Sequence, residues 1–133
     1  MQELADQIAV TGIDHVTVTT PEELETEVLD FYGTHLGLDR IPKPPGTRSG
    51  GGWFRVGAGE LHVSVDEHNP QRASHVAVQV SDLRSAVARL RAGGSHIEQA
   101  RPIPGRARCF TRDPAGNLVE LVEYPSREGG RGA

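Results

Sequence analysis

The sequence predicts an α+β fold made of two βαβββ modules that follow each other in one domain. Two predicted strands, at residues 13–19 and 75–80, share the pattern His-Val-x-Val. Each copy is followed by a helix-start signal, an irregular loop and a partner strand about 45 residues further on. Because each copy of such a repeat is one supersecondary unit, the repeat sets the architecture of the whole chain, and two units can place equivalent strands around a shared cup.

Module one, residues 13–65, starts with the strand 13–19. Thr20-Pro21-Glu22-Glu23 then has the pattern of a capping box with proline at the first helical position. Apolar residues at helical spacing follow, and Gly37 ends the predicted helix. Further strands are predicted at 38–41, 53–56 and 60–65, and the Pro- and Gly-rich stretch 42–52 is predicted to be an irregular loop beside a binding site.

Module two, residues 75–124, repeats this order of elements. Ser81 is the predicted cap of its helix, and Asp113-Pro114-Ala115-Gly116-Asn117 has strong turn chemistry. Its strands are predicted at 75–80, 95–99, 108–112 and 118–124, with an irregular loop at 100–107. The remaining segments are a leader at 1–12, a linker at 66–74 and a flexible tail at 125–133.

Composition describes one soluble domain and excludes several classes of protein. The 133 residues are 36% apolar and 24% charged, and the mean hydropathy is −0.41. No apolar stretch is long enough to span a bilayer and the N-terminus does not resemble a signal peptide, so we expect a cytoplasmic protein. The net charge of −4 argues against a nucleic-acid partner. The single cysteine, Cys109, excludes an internal disulfide and a multi-cysteine metal cluster.

Four side chains that can bind a metal ion occupy equivalent places in the two modules. Successive residues of a strand point to opposite faces, so the valines after His15 and His75 turn to the core and the histidines turn away from it. On the partner strands, His62 and Glu120 also alternate with apolar residues. These four residues form a candidate metal site, because imidazole and carboxylate ligands suit Zn, Fe(II), Mn, Co or Ni.

The sequence leaves three roles open for His62. It can be a fourth ligand, a general acid or base, or a polar wall of the pocket. Histidines are more often hydrogen-bonding residues than ligands, so His35, His68 and His96 are left outside the candidate site. Cys109 is expected to be inert.

Arginine and aromatic residues are candidates for substrate contact. Arg55, Arg106 and Arg108 can hold a carboxylate or phosphate, because guanidinium binds planar anions bidentately, but an exposed arginine on a strand or loop needs no such role. Trp53 is a candidate pocket wall. The sequence therefore offers substrate-binding residues without defining the substrate.

Three motifs resemble the vicinal oxygen chelate superfamily: FYGTHLGL at 31–38, the paired HVTV and HVAV strands, and DPAGNLVEL at 113–121. This superfamily contains glyoxalase I, methylmalonyl-CoA epimerase, extradiol dioxygenases, fosfomycin-resistance thiol transferases and metal-free bleomycin-binding proteins. The resemblance covers roughly residues 13–124. It implies the glyoxalase/bleomycin-resistance-like fold, with a curved mixed-sheet cup. It also implies a homodimer in which module one of one chain faces module two of the other, and a cup that closes within one chain is the alternative.

The resemblance also implies a ligand set. It places metal ligands at His15, His62, His75 and Glu120, and members with three protein ligands use the positions of His15, His75 and Glu120. Glyoxalase I has a carboxylate at the position that His62 fills here. Glu60 has the same strand parity as His62, so a two-residue shift would bring it into that position.

Two classes of function follow from the resemblance. The first is a metal-dependent enzyme, a glyoxalase-like lyase, an isomerase or an extradiol-type dioxygenase, that binds a small oxygen-rich substrate bidentately and uses His62 and Glu120 in catalysis. The second is a metal-free protein that binds an antibiotic or metabolite in the same cup. A structural partner protein with an empty, closed cup is a third interpretation.

Overall fold

The structure, a computed structural model, describes residues 8–70 and 73–125. Module one comprises β1 (His15–Thr20), a 3₁₀ turn (Glu22–Leu24), α1 (Glu25–Asp30), a π-helical turn (Phe31–His35), β2 (Asp39–Ile41), β3 (Gly52–Val56) and β4 (Gly59–Val65). Module two comprises β5 (His75–Gln79), α2 (Leu83–Ala92), β6 (Ile97–Gln99), β7 (Ala107–Arg112) and β8 (Leu118–Glu123). The predicted leader and tail lie largely outside the described residues.

The two modules form two four-stranded mixed sheets with the same topology, which confirms the predicted repeat. The strand orders are β1-β4-β3-β2 and β5-β8-β7-β6. β1 runs parallel to β4, and β5 runs parallel to β8. The other neighbouring strands of each sheet are antiparallel. Thr17 pairs with His62 and Ala77 pairs with Glu120, so His62 and Glu120 occupy equivalent positions.

Two predicted helix caps are wrong. The hydroxyl of Thr20, which is fully buried, donates to the carbonyl oxygen of Pro21 and caps no amide. The predicted single helix after Pro21 is instead a 3₁₀ turn, a short α-helix and a π-helical turn in sequence. In module two, Asp82 rather than Ser81 is the cap, because its carboxylate accepts a hydrogen bond from the Ser85 amide at 3.2 Å.

A single hydrophobic core joins the modules. Its largest side chains come from the π-helical turn, from α1 and α2 and from the core faces of both sheets, and they are Val28, Phe31, Tyr32, Phe54, Leu61, Val63, Leu90, Val119 and Leu121. The core therefore confirms the predicted strand faces, since the candidate metal ligands alternate with these residues. None of the helices among the described residues is long and apolar enough to cross a membrane.

A buried polar cluster links the two modules across this core. The hydroxyl of Tyr32 donates to Oδ2 of Asp113 at 2.7 Å. Asp113 also accepts from the amides of Ala115 and Asn117, so the predicted turn at 113–117 closes around its carboxylate. The side-chain amide of Asn117 donates to Asp113 and to the carbonyl oxygen of Thr19 in module one. Burial raises the pKa of Tyr32 well above its ordinary value of 10.0, and the charge of Asp113 raises it further.

The contact between Tyr32 and Asp113 predicts a measurable coupling energy. Tyr32→Phe should lower the free energy of unfolding by about 1–3 kcal/mol, because the buried carboxylate loses a donor. Urea denaturation of Tyr32→Phe, Asp113→Asn and the double variant would give the coupling between the two side chains. Additive losses would contradict the direct contact.

The dependence of the unfolding free energy on pH above 10 provides the control for this prediction. The folded pKa of Tyr32 lies above the unfolded one, so the stabilisation is fully present below pH 10 and is lost as pH rises towards the folded pKa. The unfolding free energy of the unmodified chain should therefore fall more steeply above pH 10 than that of Tyr32→Phe. Equal slopes would mean that the phenol is not buried against a carboxylate.

Candidate functional site

The candidate residues of module one form a stack of three rings, here called half-site one. The ring of His62 lies between those of Trp53 and His15, with centroid distances of 3.8 and 4.0 Å and interplanar angles of 4° and 16°. Nε2 of His62 is 2.8 Å from Oε1 of Glu60. The side chain of His62 is 9% exposed and that of His15 is 40% exposed. His15 is therefore the open end of the stack and His62 its enclosed middle.

Strand register builds this stack. Trp53 on β3 lies directly opposite His62 on β4, and β1 follows β4 in the sheet, which brings His15 to the other face of the His62 ring. Glu60, two residues before His62, is on the same face of β4. Glu60 thus contacts His62 as a hydrogen-bond partner, a role that the sequence analysis did not assign although the spacing of two on a strand indicates it.

The stacked arrangement limits what half-site one can bind. The lone pair of an imidazole nitrogen lies in the plane of its ring. Since the rings of His15 and His62 are nearly parallel and 4.0 Å apart, their lone pairs cannot converge on one ion in these orientations. Half-site one can therefore offer one imidazole ligand at a time.

The candidate residues of module two form half-site two. Nε2 of His75 is 2.9 Å from Oε1 of Glu120, and Nδ1 of His75 is 3.0 Å from the carbonyl oxygen of Ala73. Both neighbouring oxygens are acceptors, whereas a neutral imidazole has only one N–H. A neutral His75 that donates from Nδ1 to the carbonyl oxygen of Ala73 keeps a lone pair on Nε2, which can bind a cation.

Arg108 fixes the orientation of the Glu120 carboxylate. Its Nη1 donates to Oε2 of Glu120 at 3.1 Å, and its Nη2 donates to the carbonyl oxygen of Arg101 at 2.8 Å. The side chains of Arg108 and Glu120 are 13% and 11% exposed, so the pair is largely shielded from water. This contact leaves Oε1 of Glu120 facing His75.

The four predicted metal-binding side chains are divided between the two half-sites in one chain. Within residues 8–70 and 73–125, no group of three or more His, Cys, Asp or Glu side chains is close enough together to hold a metal ion. Each half-site on its own supplies fewer ligands than a structural or catalytic metal ion usually takes from a protein.

The other predicted site residues lie apart from one another. Arg55 is exposed on β3 opposite Glu60, and the Arg106 guanidinium lies 4.9 Å above the ring of Tyr124. Cys109 is buried in the core, and that burial raises the pKa of its thiol, which agrees with the expected inertness.

The loop 42–52 forms a wall of half-site one. A cavity of about 410 Å³ lies between this loop and the ring stack, and its lining includes Lys43, Arg48 and His62. The amide of Gly51 donates to Glu25 at 2.7 Å and anchors the loop to α1. Gly51 has a φ of +69°, and a Cβ there would lie 2.0 Å from a backbone oxygen, so only glycine fits this anchor.

Comparisons with known proteins agree with this architecture. The family model described as Glyoxalase/Bleomycin resistance protein/Dioxygenase superfamily matches residues 12–121. A glyoxalase family protein from Bacillus anthracis is 33% identical, with a TM-score of 0.82 and coverage of 90% of this chain and 99% of that one. The chain therefore belongs to the glyoxalase/bleomycin resistance protein/dioxygenase superfamily, as the sequence motifs predict. A sequence search of curated proteins found no match.

Two other solved structures share the fold at low identity. TnmS3, an antibiotic binding protein from Streptomyces sp. CB03234, is 18% identical, with a TM-score of 0.73 and coverage of 90% of this chain and all of that one. A mutant of the fosfomycin resistance protein FosX from Listeria monocytogenes, complexed with Mn(II) and 1S,2S-dihydroxypropylphosphonic acid, is 17% identical, with a TM-score of 0.73 and coverage of 88% and 95%. Proteins with this fold therefore include one that binds an antibiotic and one whose structure contains Mn(II).

The ring stack predicts a fluorescence change. Trp53 is the only tryptophan of the chain, and His62 covers one face of its indole. His62→Ala should shift the emission maximum to longer wavelength and increase quenching by acrylamide, because that face then meets water. The exposed residue His68 supplies the control, since His68→Ala should leave both measurements unchanged. Unchanged emission in His62→Ala would contradict the stack.

Proposed function

We propose that the chain is a metal-dependent enzyme whose divalent ion is held between two protomers of a homodimer. The observation that supports this most strongly is His75, which directs both ring nitrogens at acceptor oxygens. In metal sites a ligating histidine typically donates its other N–H to a backbone carbonyl or carboxylate. The contact from Nδ1 to Ala73 has that form and directs Nε2 towards Glu120.

The geometry of half-site two fits a metal ion. Bonds of about 2.0–2.2 Å from an ion to nitrogen and oxygen ligands place neighbouring ligand atoms about 3 Å apart. The distance from Nε2 of His75 to Oε1 of Glu120 is 2.9 Å. Arg108 orients the carboxylate through its other oxygen, as the surroundings of metal sites commonly do. His75 and Glu120 would therefore hold the ion, with Zn, Fe(II), Mn, Co and Ni all compatible with this ligand chemistry.

A second protomer would complete the site. His15 is the exposed end of half-site one, and we infer that His15 of the partner subunit is the third ligand. β1 and β5 each have a single neighbouring strand among the described residues, and such edges favour contact with another chain. Exposed apolar residues just before β1 add to this surface, since Ile8, Val10 and Ile13 are 91%, 83% and 80% exposed.

Half-site one would then supply the acid–base and binding residues. When bound, a divalent ion accepts neighbouring substrate oxygens and stabilises negative charge on them. With Nε2 of His62 donating to the Glu60 carboxylate, Nδ1 of His62 would be able to take a proton from a substrate. Trp53 forms a flat apolar wall beside it, and the cations Lys43 and Arg48 line the adjoining cavity, which suits a small oxygen-rich anion.

A metal-free small-molecule or antibiotic binder is the second candidate function. Arg108 already balances the negative charge of Glu120, and the rings of Trp53, His62 and His15 already pack on one another without a metal ion. An antibiotic binding protein is also among the structural neighbours. In this interpretation the flat face of the stack and the loop cavity would hold an aromatic or amphipathic ligand.

Metal content separates the two candidates. Protein purified without a histidine tag should contain about one divalent ion per chain by elemental analysis, and adding the ion to stripped protein should raise the unfolding free energy by about 2.7 kcal/mol at 100 times the dissociation constant. His75→Ala and Glu120→Gln should lose the ion, and His68→Ala should keep it. Absence of bound ion together with absence of stabilisation would favour the metal-free binder.

A mixing experiment tests the shared site. His15→Ala and Glu120→Ala should each abolish binding as homodimers, because every site lacks one ligand. A heterodimer of the two variants has one intact site and one doubly broken site, so each heterodimer should bind one ion, about half as many as the unmodified dimer. No recovery in a heterodimer confirmed by native mass spectrometry would mean that each site is built within one chain.

A further inference from the structure

A second cavity of about 410 Å³ lies in module two, beside the 100–107 loop, and is here called the arginine groove. Its apolar floor is formed by Leu83 and Val87 of α2 and by Ile97 of β6, all of which are half-buried. Its rim carries the guanidinium groups of Arg91, Arg101, Arg106 and Arg108. None of the described residues that line the groove carries a carboxylate.

The four arginines give the groove a positive charge. The chain as a whole is acidic, with 18 Asp and Glu against 14 Lys and Arg, so four neighbouring arginines run against its overall charge. Among the described residues, Arg108 pairs with Glu120, whereas Arg91, Arg101 and Arg106 form no salt bridge. The charge of Arg91 also acts on Cys109, which lines the groove. It lowers the pKa of the thiol, whereas burial raises that pKa by more.

Arg108 adds a further donor to this region. Two of its nitrogens are engaged, one with Glu120 and one with the carbonyl oxygen of Arg101. Its Nε is buried and has no hydrogen-bond partner among the described residues. A buried donor without an acceptor is costly, so an anion that reached Arg108 would relieve a cost already present in the fold.

We propose that the arginine groove binds a small amphipathic anion, a carboxylate or phosphate monoester that carries an apolar chain. Guanidinium groups bind planar oxyanions through paired hydrogen bonds, and the valine, leucine and isoleucine floor buries a hydrocarbon chain. The volume lies within the roughly 300–1,000 Å³ of small-molecule pockets. The groove shares Arg108 with half-site two, but its lining includes neither His75 nor Glu120, and the proposed binding needs no metal ion.

Calorimetry with defined probes tests both parts of the groove. Decanoate and decyl phosphate, kept below their micelle concentrations, should bind, and decanol should bind at least about tenfold more weakly, because one charge-assisted contact contributes at least that factor. Shortening the carboxylate chain from ten to six carbons should weaken binding by about fourfold per methylene. Equal affinity for decanol and decanoate would overturn the anionic part of the proposal, and affinity independent of chain length would overturn the apolar part.

Variants locate the binding. Arg91→Gln and Arg106→Gln should each weaken decanoate binding by about tenfold. Arg84→Gln is the matched control, because Arg84 is exposed on the same helix and does not line the groove. Decanoate binding should be the same with and without an added divalent ion, which keeps this test independent of the proposed metal site. Unchanged binding in a folded Arg91→Gln/Arg106→Gln double variant, with folding checked by thermal denaturation, would overturn the proposal.

The same anion chemistry occurs in free acids and in lipid headgroups, and co-sedimentation distinguishes them. Vesicles of phosphatidylglycerol and of phosphatidylcholine provide the comparison. Binding of decanoate without sedimentation on either vesicle assigns the groove to a soluble ligand. Sedimentation with phosphatidylglycerol alone, lost in Arg106→Gln, assigns it to an anionic lipid. Sedimentation that persists in the double variant would place lipid binding elsewhere and contradict the groove.

Discussion

The buried hydrogen bond from Tyr32 to Asp113 holds the two modules in one relative position, and the rest of the molecule depends on that position. Tyr32 belongs to module one and Asp113 to the last turn of module two, and both are almost fully inaccessible to water. A buried carboxylate is tolerated only when it is fully hydrogen-bonded, and the amides of Ala115 and Asn117 complete that requirement. The apolar faces of both sheets contribute to the single core in which this contact lies.

Closure of the core determines which faces remain for chemistry. Each sheet uses its apolar face for the shared core and leaves the opposite face to the polar residues that alternate with it. Half-site one and half-site two lie on those remaining faces, at equivalent strand positions. The same repeat thus accounts for the shared core and for the equivalent positions of the two half-sites.

The sequence predicted most of the fold because the relevant signals are local. Alternation along β1, β4, β5 and β8 identified the core faces, and the strand bounds agree with the structure to within two residues. The helix caps failed because a tertiary requirement overrode a local pattern: Thr20 is completely buried, and its hydroxyl bonds to the neighbouring carbonyl instead of the helix amide. In module two, α2 starts one residue later than predicted, so Asp82 rather than Ser81 is at the cap position.

By itself the sequence determined the repeat and the kinds of side chain at the candidate site, since these follow from spacing and strand parity, and its motifs carried the resemblance to the family. Tertiary structure alone decided how those side chains meet: His62 between Trp53 and His15, His75 against Glu120, and Arg108 holding the carboxylate. Parity assigns a residue to a face, whereas ring stacking and hydrogen bonding depend on rotamers and on strands that are distant in sequence. The arginine groove has the same origin, because α2, β6 and the 100–107 loop meet only in the folded chain.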